Sequence, residues 1–171
     1  MTKLRVPVTD RDHAQGPATA SVVLVEYGDY ECPHCGAAYP LLKRLQQALK
    51  QHLRFVFRNF PLTAMHPHAL NAARAAEAAA PQGQFWAMHD ALFEHQDRLD
   101  DESLLLYATR LGLNAETFVA RMSSGEVDAR ISGDLESGAR SGVNGTPTFF
   151  IQGVRYDGDY SYPALLRALT P

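Results

Sequence analysis

The first strong pattern along the chain is a short β-branched apolar run at 21–27 (SVVLVEY), bounded by Gly28 and Asp29. It reads as a strand, and its near-continuous apolar character suits burial on both faces of a sheet. Beyond a polar turn the spacing changes. Leu41, Leu42, Leu45 and Leu49 repeat at helical intervals within a helix predicted over 33–51. Pro40 lies inside it, where a kink is expected. Strand character returns at 53–57 (LRFVF) and closes at Arg58-Asn59-Phe60-Pro61. Strand, helix and strand at this length form a βαβ unit with parallel pairing. Residues 1–20 are polar, contain Pro7, Gly16 and Pro17, and read as an arm ending in a loop.

From 63 to about 140 no convincing strand occurs. An Ala-rich helix over 69–80 is stopped by Pro81 and Gly83, and an amphipathic one follows over 84–95 with Phe85, Met88, His89 and Leu92 around one side. The segment 101–111 has acidic residues at its start and Gly112 behind it. Asn114 is an N-cap candidate for 114–122. The last segment, 126–140, is weakened by Gly133 and Gly138. No period recurs, so this is a helical block inserted into the fold and not a repeat array. Two short strands around Gly153, at 148–152 and 154–156, read as an antiparallel hairpin. A final helix over 161–169 carries Pro163 early, where proline is tolerated. The order β-α-β, helical block, β-β-α places the chain in the α/β class. The boundaries are 1–62 for the arm and first βαβ part, 63–140 for the insertion and 141–171 for the ββα completion.

Composition narrows the chemistry. The 171 residues are 46% hydrophobic and 20% charged, enough for a packed core and too apolar for a disordered tail. The formal net charge is -3, without the basic stripe that nucleic-acid binding needs. No apolar run approaches the length of a membrane span. The opening MTKLRVPVTDRDH lacks the apolar core of a secretory signal. The expectation is a cytoplasmic protein, or a periplasmic or exported one if an N-terminal signal has been trimmed.

The only two cysteines, Cys32 and Cys35, form one C-x-x-C. Closing so short a loop removes little unfolded-state entropy, so a structural staple is a poor reading. Cys32 follows the buried strand and opens a helix, with Pro33 at the first helical position. Unpaired N–H groups and the partial positive charge at the helix start favour a thiolate there, and His34 adds a donor or a charge beside it. Cys32 is thus the candidate nucleophile and Cys35 the resolving thiol, with Pro33 and His34 tuning the pair. Two blander readings stand beside this. The thiols could be inert, or a zinc site could recruit His66 or His68, although no second C-x-x-C or H-x3-5-H appears. No metal and no cofactor beyond the dithiol are expected.

A second element is Gly145-Thr146-Pro147-Thr148-Phe149-Phe150, with a proline just ahead of a strand. An X–Pro bond is ordinarily trans; a cis bond here would leave the Thr146 backbone free to pair with an extended substrate strand.

Together the segments VLVEYGDYECPHC (23–35), FRNFPL (57–62) and VNGTPTFFI (143–151) resemble the DsbA-like branch of the thioredoxin superfamily. The resemblance covers nearly the whole chain. It implies a thioredoxin-like fold with a helical domain inserted after the second core strand. It also implies thiol–disulfide exchange on a protein or peptide bearing thiols or a disulfide, a separate redox partner, and Thr146-cisPro147 facing Cys32 and Cys35. The Pro33-His34 dipeptide is similar to that of strongly oxidising members.

Glu26 interrupts an apolar strand, where a carboxylate must be desolvated or paired. By resemblance it is a buried acid that shuttles the Cys35 proton. The alternative is a strand-end glutamate paired to a cation such as Arg58. His66, His68 and His89 read as helix-surface or satisfied core residues, and Phe85 and Trp86 as core of the helical block. The other function class open to the chain is a non-catalytic redox-sensing or partner-binding module on the same fold.

Overall fold

A computed structural model describes all 171 residues. The apolar run becomes β2 (Val22–Gly28), followed by α1 (Pro33–Leu49) and β3 (Leu53–Asn59). β2 and β3 pair in parallel with Glu26 opposite Phe57 and Tyr27 opposite Arg58. Five helices follow: α2 (Ala69–Ala79), α3 (Phe85–Glu94), α4 (Asp101–Arg110), α5 (Ala115–Met122) and α6 (Gly125–Arg140). The chain then returns to the sheet as β4 (Thr148–Ile151) and β5 (Val154–Tyr156), and ends in α7 (Tyr162–Leu169). α1 runs through Pro40 as one helix.

The arm, read from sequence as ending in a loop, carries a strand instead. Residues His13–Gln15 form β1, antiparallel to β3, and complete a five-stranded sheet of order β1-β3-β2-β4-β5. Arg58 holds the arm in place. Its guanidinium donates to Asp12 at 2.8 and 3.1 Å, to the carbonyls of Val6 and Pro7, and to the Tyr27 hydroxyl. All five N–H groups of a buried guanidinium are thereby used, which is the condition for burying that charge. A short polar segment with little periodicity gives no local sign of this. Its partners lie some 45 residues away.

Because side chains alternate along a strand, β2 and β3 divide the core. Leu24, Phe55, Phe57 and Phe149 face one side, where they pack with Leu42 and Leu45 of α1, Met88 and Leu92 of α3, and the alanines of α2. The helical insertion therefore shares its principal core with the sheet. Val25, Tyr27, Val56 and Phe150 face the other side. There α6 comes close: a Cβ on Gly138 would lie 2.8 Å from the Phe60 ring and 3.0 Å from Tyr27. The glycine that weakens the helical pattern is what lets α6 pack against Tyr27 of β2 and Phe60 just past β3.

A buried polar network ties the insertion to the strand. The Asn59 side-chain amide donates to Glu77 of α2 at 2.9 Å and to Asp134 of α6 at 3.0 Å, and the Asn59 N–H also donates to Asp134. His13 closes the network at 2.9 Å from Glu77, its ring stacked 3.6 Å from Phe85. No helix of the chain is long and apolar enough to cross a membrane.

Candidate thiol site at the head of α1

The end of β2 and the start of α1 are joined by Asp29-Tyr30-Glu31, which brings Cys32 to the N-cap with Pro33 at the first helical position. Both thiols are free, with Cys32 3% exposed and Cys35 fully covered. Cys32 Sγ lies 3.5 Å from the carbonyl oxygen of Thr146, across from β2. The Thr146–Pro147 peptide bond is cis. Thr146 Oγ1 is buried without a hydrogen-bond partner.

The two thiols have opposite acidities. A hydrogen bond from Cys35 is the largest influence holding the Cys32 pKa down to about 5. Burial opposes it, while the Thr146 hydroxyl and the N–H groups of Cys35 and His34 add to it. Burial, first, and then the bond to Cys32 and the nearby Glu26 push Cys35 well above its ordinary value. The pair thus shares one proton near neutral pH, with the negative charge on the sulfur nearer the surface. His34 and Pro33 stand exposed at the opening of the site.

Glu26 is 1% exposed and sits between Phe57 and Phe149 in the sheet. Its Oε1 has no hydrogen-bond partner. Burial, helped by the Cys32 charge, raises its pKa from 4.5 to about 8. The pairing with Arg58 considered from sequence is not made. Arg58 is in register with Tyr27, so it points to the opposite face of the sheet from Glu26.

Three further residues reach this site and went unrecognised in the sequence. Asp29, fully buried, accepts from the N–H groups of Glu31, Cys32 and Leu62 and from His66 Nδ1. Gln96, beyond α3, donates to the carbonyls of Tyr30 and Cys32 at 2.9 Å each. It lies so close to α1 that a Cβ on Gly36 would be 2.0 Å from its Oε1. Tyr160 donates to the Pro147 carbonyl at 3.3 Å. His66 is thus neither a helix-surface nor a core residue, but part of the turn beside the thiols. His89 is core: burial keeps it neutral, and its Nδ1 is hydrogen-bonded to the Tyr30 hydroxyl at 3.0 Å. Phe85 is buried and Trp86 packs against the same core, between insertion and sheet. Only His66 and His68 had a sequence signal, as nearby imidazoles. Asp29 and Gln96 had none, since ordinary polar residues next to turns are common.

The thioredoxin family model matches residues 8–170. The chain belongs to the thioredoxin family, and its fold is that of the DsbA-like thiol–disulfide exchange proteins. A thioredoxin-like oxidoreductase from Silicibacter pomeroyi superposes with a TM-score of 0.84 at 30% identity, covering 94% of this chain and 91% of that one. The thiol-disulfide exchange protein alpha-DsbA2 from Wolbachia pipientis gives 0.81 at 23% identity over 92% and 85%, a likeness of fold. Among curated relatives, the Na(+)/H(+) antiporter NhaA 1 of Salinispora arenicola is 47% identical over 98% of this chain. The chain spans about a quarter of the length of the curated relatives it matches first.

Proposed function

We propose that the chain carries out thiol–disulfide exchange on protein cysteines, with Cys32 as the exchanging thiol and Cys35 as the resolving one. The observation that carries the reading is the placement of Cys32. Cys32 is the N-cap residue of α1, and its sulfur shares a proton with Cys35 and lies 3.5 Å from the Thr146 backbone beside a cis proline. A low-pKa thiol is both readily attacked as a disulfide and readily released.

In the oxidising direction a substrate thiolate attacks Cys32 of the Cys32–Cys35 disulfide. The S–S bond breaks and its electron pair goes to Cys35, which takes a proton. A second substrate thiolate then attacks the substrate sulfur of the mixed disulfide and expels the Cys32 thiolate. Two electrons have passed from two substrate thiols to the protein. In this reading Glu26, protonated near neutral pH, gives that proton to Cys35 and recovers it in the reverse reaction. Thr146 holds the substrate backbone next to the sulfur, and Pro33 and His34 set the surface it meets.

The relatives named as Na(+)/H(+) antiporters match this chain over about a quarter of their length, which favours a second reading, a thiol-exchange module that works beside an antiporter.

The test uses intact-mass alkylation and insulin disulfide exchange. Cys35→Ser accumulates mixed disulfides through Cys32, and Cys32→Ser abolishes exchange. Exchange retained by Cys32→Ser, with nothing trapped by Cys35→Ser, overturns the assignment and leaves a binding module. The potential of the pair sets direction and compartment: near about -120 mV it is an oxidant suited to an exported setting, and near about -270 mV a cytoplasmic reductase.

A further inference from the structure

The turn that presents Cys32 is organised around a carboxylate, which is the wrong charge to have beside a thiolate. Asp29 has no exposed side-chain surface. Its Oδ1 accepts from Glu31 N at 2.8 Å and Cys32 N at 3.2 Å, and its Oδ2 from Leu62 N at 2.9 Å and His66 Nδ1 at 2.8 Å. Four N–H groups occupy the four acceptor positions of one carboxylate. The turn could not be buried without such an acceptor, yet a like charge next to a sulfur disfavours its ionisation. His66 meets Asp29 through Nδ1 and is a cation when its second ring nitrogen is also protonated. It comes from a separate segment, 62–68, which is fastened to the turn at both ends: Leu62 N donates to Asp29, and His68 N donates to Glu31 Oε2 at 2.7 Å.

We propose that the Asp29–His66 pair sets the charge around Cys32, with the imidazolium offsetting the buried carboxylate of the turn and so favouring the Cys32 thiolate. His66 is a positioning residue in this role, since it acts on the sulfur through Asp29. The proposal takes from the proposed function only that Cys32 is the reactive thiol. Because Asp29 Oδ2 accepts, the Nδ1 of His66 carries a proton, and its second protonation, at Nε2, creates the charge. The groups facing His66 are Asp29, Glu31 and Cys32 of the turn, with His68 on its own segment. Burial works against the imidazolium. The bond and charge of Asp29 outweigh it, with Cys32 and Glu31 adding, and its pKa rises above 6.5.

The coupling runs in both directions. His66 holds its proton more tightly when Cys32 is a thiolate than when Cys32 is in a disulfide. Reduction of the pair therefore draws part of a proton onto His66 in the pH range where it titrates.

The decisive variants are His66→Asn and His66→Ala in the full chain. Asparagine keeps a neutral donor near the position of Nδ1, and alanine removes both donor and charge. The reduced protein is titrated by thiolate absorbance at 240 nm, a readout needing no substrate, and its equilibrium with glutathione is measured from pH 5.5 to 8.5. In His66→Asn the Cys32 midpoint moves up by about one unit, as expected for losing a nearby opposite charge. The equilibrium constant shifts about tenfold toward the disulfide, about 30 mV for this two-electron couple, and the histidine-linked pH dependence disappears. His68→Asn, on the same segment but without an imidazole partner, leaves both unchanged. A wild-type midpoint and slope in His66→Asn overturn the proposal, because a neutral donor then suffices. Failure of the wild type to exchange with insulin is a different result. It removes the proposed function, while the thiolate titration still decides the role of His66.

Discussion

Replacing Glu26 by leucine isolates the consequence of burying an acid without a partner. In the folded protein the carboxyl titrates at about 8, against 4.5 ordinarily, because burial disfavours its charged form. Between these values the folded state keeps a proton that the unfolded chain has released. Unfolding therefore releases a proton, and stability falls as pH rises through the window. The slope approaches about 1.4 kcal/mol per pH unit, which integrates to about 3 to 4 kcal/mol between pH 5 and pH 8. Leucine has no proton to lose, and its apolar chain suits a site between Phe57 and Phe149. The assay is urea unfolding of both proteins, reduced, at half-unit steps from pH 4 to 9. The quantity of interest is the change with pH of the stability difference. Any packing difference between the two side chains is constant with pH, and the Cys32 titration, present in both, cancels to first order. The Glu26→Leu variant gains on the wild type by about 3 kcal/mol or more from pH 5 to pH 8, and the gain levels off above. A difference that stays flat within about 1 kcal/mol over that range would falsify the reasoning, since the carboxyl would then ionise in the fold as it does in water.

Two other substitutions test how the site and the arm are held. Asp12→Ala leaves the Arg58 guanidinium buried with two of its donors unmatched, and breaking a buried pair in this way costs about 3 to 5 kcal/mol. Hydrogen exchange at β1 should accelerate in the same variant, and unchanged protection of His13–Gln15 would show that Arg58 does not fasten the arm. Gly36→Ala should behave differently in two backgrounds. Alone it displaces Gln96 and loses its bonds to Tyr30 and Cys32. Combined with Gln96→Ala it stabilises by about 1 kcal/mol, the ordinary gain of alanine over glycine in a helix. A double-mutant cycle in urea reads a coupling of about 1 to 2 kcal/mol, and additivity of the two changes would deny the contact.

The chain by itself determined what depends on short-range regularity. Short β-branched and aromatic apolar runs and helical spacings marked β2, α1, β3, the helical block and the final hairpin and helix nearly to the residue, because such runs and repeats extend over only a few residues and are written directly in the sequence. The Cys32-Pro33-His34-Cys35 segment was legible for the same reason: its chemistry depends on being one helical turn long and on starting a helix. What only the tertiary structure decided are the pairings between distant segments. β1 is the three-residue segment His13-Ala14-Gln15, whose strand nature comes entirely from β3, 44 positions on at His13–Phe57. Glu26 and Arg58 could be paired on paper, and the register of β2 against β3 alone puts them on opposite faces. Asp29, His66 and Gln96 are unremarkable polar residues until the fold brings them against the turn that carries Cys32. Local propensity encodes elements, but burial and charge at a site are sums over neighbours that the chain order does not keep together, so the acidity of the two thiols belongs to the folded state.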